Sequence, residues 1–202
     1  MASVFSHAVA ALSIGACFYR PGIPKRLWVI GAVCSAIPDL DVIGFDFGIR
    51  YGDFWGHRGF THSLLFAALL ATVAMVAMIP RVAMAPMLLT RPVNNSSASF
   101  SWMWTYLFLA TASHGVLDAM TDGGLGVAFF SPFNNQRYFL PWRPILVSPI
   151  GIDAFFSSYG LAVLQNEFVW IWLPALSIAG AAWIIHRSRR RRGLLAVETE
   201  QD

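Results

Sequence analysis

His57-Arg58-Gly59-Phe60-Thr61-His62-Ser63 runs straight into Leu64–Pro80, LLFAALLATVAMVAMIP, and this junction of a histidine-bearing loop with a long apolar run decides the fold. A membrane-crossing helix needs about 20 apolar residues, within a range of roughly 17 to 25. Leu64–Pro80, Phe100–Leu117 and Phe168–Ile185 come close to that length. Val4–Tyr19 is shorter and carries His7, and Leu27–Ile37 either extends into its flanks or forms a half-membrane segment. These runs predict an all-α, polytopic membrane helical bundle with about four to five apolar helices.

Composition agrees. Of 202 residues, 56% are hydrophobic and 12% charged, about half the roughly 25% charge of a soluble domain. With 16 Phe and 8 Trp, the chain is too apolar to be disordered. The net charge of +3 arises from 14 Lys+Arg against 11 Asp+Glu, and four of the arginines form one run, Arg189–Arg192. The basic excess is local, so direct nucleic-acid binding is not expected. Residues 1–186 read as a single integral-membrane domain and 187–202 as a tail, basic and then, over Val197–Asp202, acidic. Cys17 and Cys34 both fall in apolar runs and read as small buried hydrophobes. Ile14-Gly15-Ala16-Cys17 is similar to a lipoprotein cleavage box, but Met1–His7 lacks the basic residues that a signal peptide carries. Pro92–Ser101, with Asn94-Asn95-Ser96-Ser97, reads as a loop.

Cytoplasmic loops of membrane proteins hold the Lys/Arg excess. With Arg189–Arg192 inside and five crossings, Lys/Arg residues divide ten inside against four outside, the latter being Arg50, Arg58, Arg137 and Arg143. This threading places Pro38–Thr61 and Asp118–Asn166 together on the outer face and the C-terminus in the cytoplasm.

The ionisable residues gather in those loops. His114-Gly-Val-Leu-Asp118 has a four-residue spacing that advances a helix by about 400° and puts both side chains on one face. Asp122 would share it if the helix continued, although Gly123-Gly124 predicts a stop. In Pro38-Asp39-Leu40-Asp41, Pro38 is expected to end the apolar run, and an extended segment would aim both carboxylates at one site. His62 stands at the start of the Leu64 helix, with Thr61 or Ser63 as its cap, while His57 reaches in from the loop. His7 is a further candidate. Ionisable groups beside membrane-spanning segments need partners or a function. With four arginines on this face, a divalent cation would supply the missing positive charge. The candidate metal ligands are therefore His7, Asp39, Asp41, His57, His62, His114 and Asp118, on loops and helix ends of one face. Zinc suits this mixed set best, with manganese or iron as alternatives.

His7, Pro38–Asp41, His57–Ser63 and His114–Asp118, with Phe139–Ile145 and Glu167–Pro174, resemble the YdjM-like family of membrane-bound metal-dependent hydrolases, over nearly the whole chain. That family is distantly similar to the zinc-dependent phospholipase C and single-strand nuclease superfamily. The resemblance implies ligands at His7, at Asp39 or Asp41, at His57 or His62, and at His114 with Asp118. The distant relatives supply further histidines after the last pair, but this chain has none between Asp118 and Ile185. Asp122, Asp153 or Glu167 would have to stand in, so one or two metals are expected. The resemblance also implies a bacterial inner-membrane location and a LexA-type partner.

The function expected on these grounds is metal-assisted hydrolysis of a phosphoester in a membrane lipid or lipid-linked substrate, by water activated at the metal. Whichever of Asp39 and Asp41 does not ligate would be the general base. Arg58, Arg137 and Arg143 offer guanidinium forks for a phosphate. The alternative is a noncatalytic membrane protein in which a structural metal staples the loops and the basic tail binds a cytoplasmic partner or anionic lipid.

Overall fold

The computed structural model describes residues 1–20, 23–83 and 96–199, with side chains described except at 79–83, 96–99 and 191–199. All the regular structure among them is helical, apart from two isolated bridges that pair Thr121 with Ile145 and Val127 with Tyr138. The described residues form seven α-helices: α1 (Val4–Cys17), α2 (Arg26–Ala36), α3 (Leu64–Ala83), α4 (Ser96–Ala119), the short α5 (Ile152–Phe155), α6 (Ser158–Glu167) and α7 (Leu173–Thr199).

Among the described residues, two continuous helical stretches are long and apolar enough to cross a membrane, Arg26–Phe47 and Ser158–Arg190. The first resolves the length of the Leu27–Ile37 run. α2 does not stop at Pro38 but tightens into a 3-10 helix, Ile37–Phe47, with Pro38 in its opening turn. A proline lacks only a donor that the first turn leaves unpaired anyway, so helix continues where a break was expected. The second stretch joins α6 to α7 through one π-helical turn, Phe168–Trp172, and α7 passes residue 186 without interruption.

α1 packs on α2, α4 and α7, and α4 packs in turn on α2 and α3. Their shared core holds Ala11, Leu27, Ala71, Met75, Tyr106 and Leu107. Small residues allow the close approach: a Cβ on Gly31 would overlap the Tyr106 hydroxyl. The outside is apolar as well. Val29, Val73, Val76, Leu176 and Ile184 are each more than half exposed, which a lipid-facing helix tolerates and a water-facing one rarely shows in such number.

The bundle has two distinct ends. At one, the tip of α1 meets the start of α4 and the end of α7, with Phe18 on Trp102, Arg20 over Trp102 and Tyr19 edge-on to His186. The start of α1, the end of α2, the starts of α3 and of the α6–α7 stretch, and the end of α4 lie at the other, together with the loops 48–59 and 120–151. Those loops are tied by Ala128 N–H to Arg58 O at 3.0 Å, Leu64 N–H to Phe129 O at 3.0 Å and Arg137 Nη1 to His57 O at 2.7 Å.

Two local expectations change. Ser96 and Ser97 begin α4 and are not in a loop, while residues 92–95 of that predicted loop lie outside the described residues, as do 200–202 of the acidic tail. Cys34 is buried, but Cys17 at the last turn of α1 is exposed. Cys17 lies on the side of α1 that lines an open groove against α7.

Candidate metal centre

Each ligand candidate reaches the loop-bearing end of the bundle for a local reason. His7 lies one turn into α1, whose N-cap Ser3 accepts from Ser6 N–H. Asp39 and Asp41 sit on the 3-10 extension of α2, where residues two apart diverge by about 240°. They therefore point apart, contrary to the extended-segment expectation. His62 closes the turn Phe60–His62, and Ser63 caps α3 by accepting Phe66 N–H at 3.0 Å. His114 and Asp118 share one face of α4, which ends at Ala119, so Asp122 is turned away and accepts Val147 N–H at 2.8 Å.

One ligand atom each from Asp39, His62, His114 and Asp118 lies within 4.8 Å of the other three. His62 Nε2 and His114 Nε2 are 3.0 Å apart, His114 Nε2 is 3.3 Å from Asp39 and 3.8 Å from Asp118, and His62 Nε2 is 3.4 Å from Asp118 and 3.6 Å from Asp39. Two ligands bound tetrahedrally at about 2.0–2.1 Å from zinc stand about 3.3 Å apart, which is the middle of this range. His7 Nε2, 3.5 Å from Asp118 and 3.8 Å from Asp39, borders the group as a fifth donor, its ring stacked on His114 with centroids 3.7 Å apart.

These atoms are short of partners. His7 Nε2, both Asp39 oxygens and Asp118 Oδ2 are buried without a hydrogen bond, each a cost of about 1–3 kcal/mol if it stays so. Charge points the same way. Asp39, Asp41 and Asp118 bring three negative charges and Arg58, 3.2 Å from Asp118, one positive, so a divalent ion with neutral histidines would balance the cluster. The donor set and its geometry fit such an ion. In its absence a proton takes part of that role: burial works against a charge on His62, but the carboxylates of Asp118, Asp39 and Asp41 outweigh it and push its pKa up to about 10.

A second layer fixes the tautomers. His114 Nδ1–H donates to Ser35 O at 2.6 Å, which leaves Nε2 for the centre. Asp41 is engaged on all sides. It accepts from Thr61 Oγ at 2.6 Å and Arg58 N–H at 3.2 Å, and faces His57 Nδ1 at 2.7 Å and His62 Nδ1 at 3.2 Å. Asp41, His57 and His62 also form a group that would admit an ion, but with these short contacts Asp41 works as an orienting carboxylate behind the histidines. His57 is left with a buried, unpartnered Nε2, and burial pulls its pKa below the ordinary value against the pull of Asp41. Arg58 holds a left-handed backbone, φ 63°, a conformation costly to a residue with a Cβ. It aims the amide at Asp41 and the side chain at Asp118, Gly123 O and Thr121 Oγ1.

The chain matches the YdjM inner membrane protein family over residues 1–191. It is also 35% identical to the Escherichia coli K12 protein named inner membrane protein YbcI, over 91% of this chain and 98% of that one. The chain belongs to the YdjM inner membrane protein family. No solved structure matches it.

For this YdjM-family chain the structure therefore brings His7, Asp39, His62, His114 and Asp118 together around one point, with Asp41, His57 and Arg58 behind them. Arg143 stands apart: it is exposed, its guanidinium 4.6 Å over the Phe139 ring. Arg137 clamps the loop backbone at Tyr51, Asp53 and His57. None of the three downstream carboxylates joins the centre. Asp153 is exposed, and Glu167, fully buried, accepts from Ser3 N–H at 2.5 Å and Ser6 Oγ at 2.7 Å. Sequence reasoning missed the Ser35 carbonyl and the Ala2 amide, which donates to Asp118 Oδ1 at 2.7 Å. Backbone groups leave no trace in residue type, so no motif announces them.

Proposed function

We propose that this protein is a multi-pass, metal-dependent hydrolase of the inner membrane, acting on a phosphoester in a lipid or lipid-linked molecule. One observation carries the reading: four His and Asp ligand atoms, mutually 3.0–3.8 Å apart where measured, at a helical-bundle end with unpaired buried donors and acceptors. Five crossings, α1, the α2 stretch, α3, α4 and the α6–α7 stretch, would put the centre at the outer face and the basic end of α7 in the cytoplasm, in line with the ten-to-four Lys/Arg division.

Zinc suits the donor set best, and a divalent cation there would supply Lewis acidity towards a phosphoryl oxygen and water. The remaining tasks fall to the chain. Ser35 and Asp41 hold His114 and His62 in the ligating tautomer. Asp41 also accepts a hydrogen bond from His57 Nδ1–H, which fixes that ring behind the centre. Arg58 holds the Asp118 carboxylate, and Arg143 is free to meet a headgroup at the interface.

A second reading is favoured by burial. His7, His57, Arg58, His114 and Asp118 have no exposure, and Asp39 keeps only 5%, so an ion here would also serve as a staple between loops. Elemental analysis of the detergent-purified protein beside a His114→Ala/Asp118→Ala variant tests the centre, and a phosphoester panel in lipid nanodiscs tests the chemistry. Stoichiometric metal in the parent only, with turnover lost in the variant, supports the hydrolase. Full metal occupancy without turnover supports the staple, and no metal in either protein removes both.

A further inference from the structure

At the bundle end opposite the metal centre, a groove of about 470 Å³ runs between the tip of α1 and the basic end of α7, lined by Ala16, Tyr19, Trp183, His186, Arg187 and Arg190. We propose that this groove binds an anionic glycerophospholipid, its phosphate held by Arg187, Arg190 and His186 and its first acyl carbons laid along Ala16 and Trp183.

Three observations choose this occupant. The first is size, since specific small-ligand sites occupy about 300–1,000 Å³. The second is charge: among the described residues the lining carries two arginines and a histidine and no carboxylate. A neighbouring groove of about 340 Å³ shares His186 and adds Arg189, again without a carboxylate. The arginines of both grooves are complementary to a phosphodiester. The third is the polarity gradient along α7. Its arginines stand where the apolar Ser158–Arg190 stretch ends, while Ile178, Ile184 and Ile185, about half exposed, continue the apolar surface away from them. A phosphate above an apolar wall matches a lipid at its headgroup depth, whereas an acidic peptide or a free anion would leave the wall unused. The aromatic groups are already in place. Arg187 lies 5.1 Å over Trp183, which limits its rotamers, and Tyr19 packs edge-on to His186 with centroids 5.8 Å apart. Basic pockets between membrane helices bind acidic headgroups in this way.

The site is independent of the metal centre, so its test does not depend on hydrolysis. The full-length protein in nonionic detergent is titrated with phosphatidylglycerol, phosphatidylcholine of the same chains, and inorganic phosphate, and adducts are counted by native mass spectrometry. Phosphatidylglycerol is expected to bind at least tenfold tighter than phosphatidylcholine. Each arginine at an anionic surface contributes about fivefold, so Arg187→Gln/Arg190→Gln is expected to weaken phosphatidylglycerol by about 30-fold. Its thermal unfolding midpoint should stay unchanged, which reports intact folding. Tyr19→Ala/Trp183→Ala removes the wall and keeps every charge, and it is expected to abolish the dependence of affinity on acyl-chain length. Equal binding of the two lipids, parental affinity in either double variant, or competition by inorganic phosphate at equal concentration would overturn the proposal, the last by revealing a small-anion site.

Discussion

Replacing Asp41 by Asn separates an orienting carboxylate from a metal ligand, because the two roles predict different magnitudes and different spectra. Oδ2 faces three groups, Thr61 Oγ, Arg58 N–H and His62 Nδ1, and Oδ1 faces one, His57 Nδ1. An asparagine therefore keeps its carbonyl on the crowded side and turns its NH2 towards His57. Two donors would then meet at 2.7 Å, so His57 must move its proton to Nε2. His62 retains a neutral acceptor in place of a charged one. Loss of such a supporting group costs about 10–100-fold in metal affinity, or about 1.4–2.7 kcal/mol. The assay is a competition titration of zinc against a chromophoric chelator, with cobalt(II) substituted to report the coordination sphere. The expected result is a weaker site with an unaltered cobalt spectrum. A changed spectrum would make Asp41 a ligand, and parental affinity would show that its contacts do not orient His62; either refutes the reasoning.

Other consequences can be checked separately. His62, its pKa pushed up to about 10, carries a proton at pH 7 that must leave before Nε2 can ligate. Metal affinity should therefore rise with pH, by up to about tenfold per unit below pH 10, and calorimetry in two buffers should show about one proton released per ion; no proton release would contradict the charge assignment. Arg58→Met takes the guanidinium from the buried Asp118 carboxylate, which keeps the Ala2 amide and His62, an expected loss of about 1.5–3 kcal/mol. Thermal unfolding should show a larger loss in chelator than with zinc, and an unchanged midpoint in both would deny the pair its role. Gly31→Ala drives a methyl into Tyr106, an expected cost of about 1–3 kcal/mol that Tyr106→Ala should largely relieve; a neutral single variant would show that α2 and α4 are not in contact there.

The helical architecture and much of the centre were legible because they follow from local rules. Apolar runs marked the helices, the four-residue spacing put His114 and Asp118 on one face, and Ser63 sat at a capping position. What escaped depended on geometry beyond the local pattern. Pro38 reads as a stop, yet in the first turn of a tighter helix it is harmless, and that tightening splits Asp39 from Asp41. Glu167 reads as a spare carboxylate for a metal, and only the packing of α1 on the α6–α7 stretch shows it bound to Ser3 and Ser6. Arg143 has the right chemistry for a phosphate, but its loop carries it to the surface. Cys17 lies in an apolar run whose last turn faces an open groove beside α7.

The grip of Glu167 on Ser3 also sets a timetable. The contact spans 164 residues of sequence, and the Ala2 bond to Asp118 spans 116. At about 5–20 residues per second of synthesis, roughly 10–30 s separate the emergence of the first helix from that of the glutamate that anchors it. During that interval the histidines and aspartates exist but their enclosure does not, so a cation captured early can still exchange. Once Glu167 arrives the N-terminal residues lock over Asp118, and the choice of metal becomes hard to revise. Selectivity in such a chain would be decided during membrane insertion, by whichever ion is available while the last helix is still being made.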